Sequence, residues 1–341
     1  MKSEELTSWL ARIPKVELHL HLEGAIPLDA LWELIQKYGG ESSVPTFESL
    51  ANRFQFRDFA HFIDTWIWKN QFLREYEDFT FVSRAFARQL VQQNIQYAEV
   101  FFSPVRFVDE GLETPRLLEA IRAGLSLVSD VEVALIPDLV RDYGPERASK
   151  TLLEIYDAKD QGIIGVGLGG SEQKFPPKQF THVYNEARNL GFPTTAHAGE
   201  AAGAESIWGA ILDLGVDRIG HGTRAEEDED LMGYLADSQT PLEMCPLSNV
   251  STRVVDSIEN HPVRRYLDRG LLVTVNTDDP MMFGNSLTQE FQTLMEVHEF
   301  TRVDIETLVS NGIRASWLSA ERKTELLAGF SVEFREALPS A

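Results

Sequence analysis

The sequence lacks the features that mark secreted, membrane-spanning or disulfide-stabilised proteins. Its one cysteine, Cys245, excludes an intramolecular disulfide framework and a thiolate-rich metal site, and it favours a reducing compartment. No run approaches the roughly 18 consecutive apolar residues of a membrane span. The N-terminus, MKSEELTSWLARIPK, has early acidic residues and no apolar h-region of a secretory signal. We therefore expect a soluble, cytoplasmic protein without a membrane partner.

Positive charge is also scarce. Against 53 aspartate and glutamate residues stand only 31 lysine and arginine residues, which gives a formal net charge of −22. Nucleic-acid affinity depends on lysine and arginine that neutralise phosphates, so this balance argues against nucleic acid and favours a small-molecule substrate. With 341 residues and 43% hydrophobic content, the chain is expected to form a single domain, residues 1–341. The sequence does not specify an oligomeric state.

Short β-rich runs alternate with longer stretches of helical periodicity along the chain. Such alternation is typical of βα units in a parallel sheet, and eight runs predict an α/β fold with a closed (β/α)8 TIM barrel. A doubly wound open sheet is the alternative. The candidate strands span 15–24, 95–104, 131–139, 163–172, 192–200, 217–223, 240–249 and 271–280. The candidate helices between them span 77–94, 114–129, 145–161, 177–190, 203–214 and 259–269.

The gap between the first two candidate strands is long and aromatic. It holds helical stretches at 28–38, 57–70 and 75–94, and its segment FRDFAHFIDTWIWKNQF includes Trp66 and Trp68. An insertion after the first strand of a barrel lies over the face where active sites form, which predicts a helical lid. Alternatively, these aromatic residues pack a helix onto the barrel wall. After the eighth strand, 286–300 and 304–339 are predicted to be C-terminal helices.

Ionisable side chains occur at the same end of nearly every candidate strand. In a parallel barrel these ends meet at one mouth, although the residues are far apart in sequence. This convergence is stronger evidence for a site than any single motif. The residues are His19, His21, His197, Glu200, His221, Asp278 and Asp279.

Four of these residues form a candidate metal site. His19 and His21 stand two apart on one strand, so their imidazoles point to the same face. Alone, such a pair is more often structural, but His197 and Asp278 at other strand ends complete a set of three nitrogen ligands and one oxygen ligand. This set suits zinc and leaves room for a water molecule. Iron or another divalent ion could occupy the same ligands.

The remaining ionisable residues could move protons around a metal-bound water. His221 is a candidate base or electrostatic orienter. Glu200 is either a loop carboxylate or a proton donor whose pKa is raised by burial at the mouth, and the second interpretation is favoured. In NTDDP, Asp278 is assigned to the metal and Asp279 to hydrogen bonding with the ligand or the water. The spacing would also permit the opposite assignment.

The fourth candidate strand, IIGVGLGGSE, has no lysine, histidine or glutamate within it to bridge two metal ions. A mononuclear site is therefore favoured over a binuclear one. Gly167, Gly169 and Gly170 would let a flat ring lie against the backbone and use a backbone N–H as a donor. A tight turn is the competing explanation for Gly169.

The motifs PKVELHLHLEGAI, YAEVFFSP, GLGGSE, TAHAGE, RIGHGT, MCPLSN and NTDDP follow one another in this order. From about Pro14 to Phe291 the chain thereby resembles the adenosine deaminase family of the amidohydrolase superfamily. The resemblance implies a purine substrate and one zinc ion per chain. It also implies that metal-bound hydroxide attacks C6 and that the tetrahedral intermediate loses ammonia. The implied zinc ligands are His19, His21, His197 and Asp278.

The same resemblance implies roles for the other residues. Glu200 would protonate ring N1, and His221 would assist deprotonation and orientation of the water. Asp279 would contact that water or purine N7, and the Gly170 backbone N–H would approach N3. Glu23, in HLEG, stands where many adenosine enzymes have aspartate in contact with the ribose, and relatives that act on adenine often have glutamate there.

Two further motifs bear on the substrate. LGGSE replaces the LAGDE of many adenosine enzymes, with Ser171 in place of an aspartate, whereas NTDDPMMFGNSLTQEF looks more like the nucleoside-deaminating branch. We therefore predict a hydrolase of C–N bonds in cyclic amidines that converts adenosine or deoxyadenosine to inosine or deoxyinosine and ammonia. The alternative substrates are adenine and a modified nucleoside such as aminodeoxyfutalosine.

Two other classes of protein make different predictions. A barrel that has lost activity and serves as a binding or signalling protein would have a broken ligand set, whereas all four ligands are present here. A two-metal hydrolase of phosphoesters or lactones would have a bridging ligand on strand four. Its metal content would exceed one ion per chain.

Overall fold

The computed structural model describes residues 3–56 and 59–337 and has an α/β fold. Its strands form two parallel sheets, one of order β1-β2-β3 and one of order β4-β5-β6-β7. This consecutive order differs from that of a doubly wound sheet. The strands are β1 Lys15–His21, β2 Ile95–Phe102, β3 Glu132–Pro137, β4 Thr195–Ala198, β5 Arg218–His221, β6 Leu242–Met244 and β7 Val273–Val275.

Parallel bridges join the two sheets at both edges. On one side, segment 163–167 pairs with β3 and, through Val166 and Thr194, with the chain just before β4. On the other side, Leu20 pairs with Asp278, and the His21 N–H donates to the Asp278 carbonyl at 2.8 Å. Eight parallel segments thus follow one another around a ring, in agreement with the predicted TIM barrel.

The predicted fourth strand is the one that does not form a regular strand. Segment 163–167 makes isolated bridges only. Its glycines allow close approach by neighbouring side chains: a Cβ on Gly165 would lie 2.2 Å from the Trp317 ring, and one on Gly167 would lie 2.7 Å from Phe101. A glycine-rich strand has few side chains to pack and is locally weakened, which explains the irregular pairing.

Helices surround the ring, and one continuous set of buried hydrophobic residues runs from the first helix to the last. Among the described residues, none of the helices has the length and apolar character needed to cross a membrane. The α-helices are α1 Ser3–Arg12, α2 Leu28–Lys37, α3 Phe47–Arg53, α4 Phe59–Asn70, α5 Tyr76–Gln92, α6 Val105–Val108, α7 Thr114–Leu125, α8 Gly144–Asp157, α9 Thr181–Asn189, α10 Ala204–Gly209, α11 Glu229–Ser238, α12 Pro246–Ser251, α13 Val263–Asp268, α14 Pro280–Phe283, α15 Leu287–Val297, α16 Arg302–Ala315 and α17 Ala320–Glu336.

One predicted helix, 304–339, is two helices in the structure, α16 and α17. The chain leaves the helical conformation at Ser316, and the Trp317 N–H donates to Glu99 Oε1 at 2.7 Å. The Trp317 ring also covers the Arg218 guanidinium, 3.7 Å from the ring centre. These contacts with the barrel interior outweigh the local helical preference. The predicted ends at residues 57–58 and 338–339 lie outside the described residues.

Helices α2–α5 form the insertion between β1 and β2, and its two tryptophans have different environments. Trp66 lines the main cavity, and the Arg106 guanidinium lies 4.3 Å from its ring centre. Trp68 instead packs on Phe72, with ring centres 5.3 Å apart, and against Arg53. Trp66 therefore faces the cavity, as expected of a lid residue, whereas Trp68 packs against other residues of the insertion.

Candidate metal centre and its cavity

Three imidazoles and one carboxylate converge at the mouth of the barrel. His19 and His21 come from the end of β1, His197 from β4, and Asp278 from the segment after β7. His197 Nε2 lies 3.1 Å from His19 Nε2 and 3.3 Å from His21 Nε2. Asp278 Oδ1 lies 3.6 Å from His19 Nε2 and 3.3 Å from His21 Nε2. The structure thus brings the four predicted ligand residues within a few ångströms of one another.

This donor set fits a zinc ion. Zinc–nitrogen bonds of about 2.0–2.1 Å in a tetrahedral site separate neighbouring ligand atoms by about 3.3 Å, close to the distances above. Three imidazoles with one carboxylate are also a ligand combination that zinc accepts. A second group of potential ligands contains His221 in place of His21, together with His19, His197 and Asp278. The geometry of the donor atoms alone permits either histidine as the fourth ligand.

Neighbouring residues hold two of the ligands in place. Glu243, on β6, accepts a hydrogen bond from His19 Nδ1 at 2.9 Å, which leaves the Nε2 lone pair directed at the site. Ser248 Oγ donates to Asp278 Oδ2 at 2.6 Å, so Oδ1 remains free to face the histidines. Such contacts fix the ligand orientation before a metal ion binds.

The cluster attracts positive charge. Burial opposes protonation of His21, but hydrogen bonding to Asp278 outweighs it and raises the His21 pKa to about 10. Burial likewise opposes ionisation of Asp278, yet His19 and His21 hold its pKa well below the usual range. A divalent cation would supply this positive charge and compete with protons for the same nitrogen atoms.

The backbone is strained at two residues of the site. Asp278 has φ +67° and His221 has φ +61°, both in the left-handed region. Non-glycine residues in such conformations cost of order 1–3 kcal/mol each and occur preferentially at functional sites. Here the strain turns each side chain toward the mouth at the point where its strand ends.

A cavity of about 870 Å³ opens above this cluster. Its floor contains His21, His197 and Asp278, whereas His19 is fully buried beneath them. The other candidate catalytic residues, Glu200, His221 and Asp279, also line this cavity, as does Gly170. The structure thus brings the predicted metal-binding and proton-transferring residues to one space.

Glu200 is positioned by a carboxylate that sequence reasoning missed. Glu172, at the end of GLGGSE, accepts hydrogen bonds from four consecutive backbone N–H groups of the loop after β4, residues 199–202. Burial, followed by the negative charge of Asp278, raises the Glu200 pKa to about 8. The Glu200 carboxyl is therefore protonated at neutral pH and can donate a proton.

The Asp279 side chain occupies space that is open only because residue 24 is glycine. A Cβ on Gly24 would lie 1.6 Å from Asp279 Oδ1, an atom that is buried and has no hydrogen-bond partner among the described residues. Burial, followed by the charge of Asp278, raises the Asp279 pKa to about 7. The glycine of HLEG thus permits the second carboxylate of NTDDP to face the cavity.

Glu23 follows β1, and Gly170 follows segment 163–167. Glu23 is buried, is not among the cavity-lining residues, and accepts the Ser103 N–H at 2.9 Å. Its Oε2 has no hydrogen-bond partner within the described chain. Gly170 has φ +96°, where a side chain would be strained, and a Cβ there would approach Asp142 Oδ2 at 2.3 Å.

Asp138 is a second cavity residue that sequence reasoning missed. It follows β3, is 3% exposed, and its Oδ1 has no hydrogen-bond partner in the described structure. Gly169 leaves room for it, because a Cβ there would lie 2.7 Å from Asp138 Oδ2. The sequence signal was a lone carboxylate after the apolar run VALIP, at the same strand end as the other site residues.

Glu290, on α15 behind the site, leads to a prediction about stability. It is fully buried and accepts the Leu247 N–H and Asn285 Nδ2, and burial raises its pKa from 4.5 to about 8. Between these values the folded protein retains a proton that the unfolded chain has lost, so stability falls as pH rises through this window. Glu290→Gln is expected to remove that part of the pH dependence and to unfold at higher urea concentration than the wild type near pH 8.

The control is Glu296→Gln, an exposed position on the same helix, which should keep the wild-type pH profile. Urea unfolding of the metal-free proteins at several pH values measures the effect. Parallel profiles for Glu290→Gln and the wild type would contradict it.

The chain is similar to known deaminases along almost its whole length. The sequence model of the adenosine deaminase family matches residues 14–331. Aminodeoxyfutalosine deaminase of Streptomyces avermitilis is 35% identical over 95% of this chain and 92% of its own length. The crystal structure of adenine deaminase from Arthrobacter aurescens superposes with a TM-score of 0.89 at 33% identity, covering 95% of this chain and 99% of that one.

A zinc-bound amidohydrolase from Burkholderia ambifaria shares the fold at 24% identity, with a TM-score of 0.84 over 99% of this chain and 94% of its own. The parallel ring, the His-and-Asp cluster at its mouth and the match of residues 14–331 all agree. The chain therefore belongs to the adenosine deaminase family and is a hydrolytic deaminase.

Proposed function

We propose that this protein catalyses the zinc-dependent deamination of a 6-aminopurine and that it binds one zinc ion per chain. His19, His21, His197 and Asp278 would hold the ion, in agreement with the distances between their ligand atoms. When bound by these residues, zinc would lower the pKa of a water molecule and so supply the nucleophile for attack at purine C6.

The residues of the chain carry the proton transfers in this proposal. Glu200, protonated at neutral pH, donates to ring N1 as the amino carbon becomes tetrahedral. Asp279 accepts a hydrogen bond from the attacking water or, when protonated, donates one to purine N7, and His221 orients that water. The Gly170 backbone N–H binds ring N3. The departing amino group takes up the proton that the C6 hydroxyl loses as the carbonyl forms, and it leaves as ammonia.

The volume of the cavity favours a substrate larger than free adenine. Its volume of about 870 Å³ lies near the upper end of the range for small-molecule sites. Free adenine, a single bicyclic ring system, would leave most of this space to water. A 6-aminopurine with a large substituent on N9 would fill it.

Cationic side chains at the cavity indicate the charge of that substituent. Arg106, Lys174 and Arg253 line the cavity from three different segments, and within the described chain none of the three forms an ion pair, although carboxylates also line this cavity: Asp138, Asp142, Glu172, Glu200, Asp278 and Asp279. In a protein with a net charge of −22, such a group favours an anionic ligand. We therefore propose aminodeoxyfutalosine, a purine nucleoside that carries a benzoate group, as the substrate.

Adenine is the second candidate. The Arthrobacter aurescens adenine deaminase has a similar fold over 95% of this chain. The sequence resemblance also implies that Glu23 stands where relatives that act on adenine often have glutamate. The relatives reported for this chain are named for aminodeoxyfutalosine or adenine, so adenosine and deoxyadenosine rank below these two substrates. This order differs from the preference for a nucleoside such as adenosine that the motif NTDDPMMFGNSLTQEF favoured.

Ammonia release from aminodeoxyfutalosine, adenine, adenosine, deoxyadenosine and AMP tests the proposal. We expect the highest kcat/KM for aminodeoxyfutalosine. Lys174→Gln and Arg253→Gln should lower kcat/KM for this substrate about tenfold each, as for loss of a hydrogen bond to a charged group, and leave adenine unaffected.

The matched control is Lys178→Gln, an exposed lysine outside the cavity, which should change neither substrate. A higher kcat/KM for adenine, with equal effects of the cavity variants on both compounds, would overturn the choice of aminodeoxyfutalosine. A metal-replete protein that releases no ammonia from any of these compounds would refute deamination of 6-aminopurines.

A further inference from the structure

A buried chain of hydrogen bonds runs from the backbone of α13 to His221. The Val263 N–H approaches His261 Nδ1 at 3.3 Å, and His261 Nε2 lies 3.2 Å from Asn249 Oδ1. Asn249 Nδ2 then lies 3.1 Å from His221 Nδ1. The three side chains are completely buried, so solvent does not complete or interrupt the chain.

The direction of this chain follows from its first member. A backbone N–H only donates, so His261 Nδ1 accepts and carries no proton. A neutral imidazole has one proton, which must then be on His261 Nε2. Burial lowers the pKa of His261 to about 3 and keeps the ring neutral. His261 Nε2 is therefore a donor toward Asn249.

The donor at His261 fixes the orientation of the Asn249 amide. Its Oδ1 accepts from His261 Nε2 and also from Thr223 Oγ1 at 2.8 Å. The reversed amide would place two donors, Nδ2 and His261 Nε2, against each other. With Oδ1 so placed, Nδ2 faces His221 Nδ1 and donates to it.

We infer that Asn249 and His261 are positioning residues that hold His221 in the tautomer with its proton on Nε2. His221 Nδ1 accepts from Asn249, so the single proton of the neutral ring points into the cavity. Nε2 makes no hydrogen bond within the described part of the chain, and the nearest carboxylate oxygen, Glu200 Oε2, is 3.6 Å away.

This tautomer also decides between the two candidate ligand groups. A nitrogen atom that carries a proton has no lone pair for a metal ion, so His221 Nε2 is a poor ligand. His19 is held in the opposite tautomer, since Nδ1 donates to Glu243 and the Nε2 lone pair faces the other ligand atoms. His21 is therefore the fourth ligand, and His221 is left as a hydrogen-bond donor.

The catalytic consequence rests on the proposed deamination. The His221 Nε2–H group donates a hydrogen bond to the attacking oxygen atom. This bond occupies one lone pair of the oxygen atom and so orients the oxygen relative to the purine. It does not begin the reaction as a base, because its Nε2 is already protonated and its Nδ1 is occupied by Asn249.

Nitrogen NMR of zinc-loaded protein with ¹⁵N-labelled histidine tests the tautomer directly. The His221 signals, assigned by their loss in His221→Gln, should show a proton on Nε2 and none on Nδ1. Asn249→Asp replaces the donor by an acceptor of the same shape, so it should move the proton to Nδ1. We expect kcat to fall about 100-fold, the low end of the range for a lost proton-handling group, with little change in KM.

Two variants of His261 distinguish the effect of its hydrogen bond to Asn249 from the effect of its packing. His261→Gln retains a donor toward Asn249 Oδ1 and should keep the Nε2 tautomer and most of kcat. His261→Leu fills similar space without a donor and should leave a mixture of tautomers. A merely structural role would make the two variants equally impaired.

A His221 proton on Nδ1 in the wild type would overturn the inference, whatever the variants do. An unchanged tautomer in Asn249→Asp would overturn it as well. If no aminopurine is deaminated but His221 has its proton on Nε2, the proposed function fails and the assignment of the tautomer stands.

Discussion

Replacing Glu200 by glutamine is expected to lower kcat by about 10²- to 10⁴-fold and to leave the metal content unchanged. Burial and the neighbouring Asp278 raise the pKa of the carboxyl to about 8, so the wild type holds its proton at neutral pH. Glutamine has the same shape but does not transfer a proton to ring N1. Glu200 is also distinct from the four ligand residues, so zinc should remain bound.

The pH profile gives a second measure of the same group. Activity that requires protonated Glu200 falls as pH rises through about 8, because the carboxyl then ionises. In Glu200→Gln the residual activity should lose this alkaline limb.

Glu205→Gln is the matched control, because Glu205 is an exposed carboxylate a few residues further along the same chain segment. It should retain both kcat and the pH profile. Zinc content is measured by elemental analysis, and kcat by ammonia release. A Glu200→Gln protein with wild-type kcat would exclude the proton-donor role, whereas one without zinc would give Glu200 a structural role.

The sequence predicted the barrel because eight short β-rich runs alternate with helical stretches, and seven of these eight runs form regular strands. Histidine and aspartate at the ends of several runs predicted that the site lies at one mouth of the barrel. The remaining run, 163–172, has β-branched residues only near its start, and its glycines weaken the regular pairing that its place among the strands predicts. The prediction of a single helix over 304–339 was wrong at Ser316. The helix ends there because Trp317 contacts the barrel interior, and these contacts involve residues distant in sequence.

Site residues could be predicted from the sequence where the residue type itself indicates the role. They could not be predicted where the role depends on the direction of a hydrogen bond in the folded chain. His19 and Asp278 were identified from their types and their places at strand ends. Glu172 was not, because its role is to accept four backbone N–H groups from another loop. The role of Asn249 depends on which end of its amide faces His261, and that follows only from the folded backbone.

The barrel interior below the candidate metal centre contains a network of buried charged residues. In the sequence these residues are visible only as single charges within apolar runs. Glu99 and Glu243 interrupt the apolar runs YAEVFF and TPLEMCP, and each faces Arg218 on β5. Arg218 Nη1 lies 2.5 Å from Glu99 Oε2, and Arg218 Nε lies 2.6 Å from Glu243 Oε1, with all three side chains almost completely buried. Because Glu243 also accepts from His19, the network connects barrel stability to the candidate metal ligand.

Arg218→Met is expected to lower the free energy of unfolding by about 3–5 kcal/mol, the usual effect of breaking a buried ion pair. Methionine retains much of the apolar volume but leaves two buried carboxylates without their cation. Glu243 is then less able to orient His19, so zinc affinity should fall about 10- to 100-fold. Urea unfolding of the metal-free protein and competition with a zinc chelator measure the two effects separately.

Two controls separate charge from packing. Arg269→Met, at an exposed ion pair with Glu229, should leave stability almost unchanged, because solvent screens such pairs. Glu99→Gln added to Arg218→Met removes one of the unpaired charges and should restore part of the lost stability. If Arg218→Met unfolds at the same urea concentration as Arg269→Met, the buried carboxylates do not depend on Arg218. If the added Glu99→Gln restores nothing, the loss in Arg218→Met comes from packing against Trp317 rather than from charge.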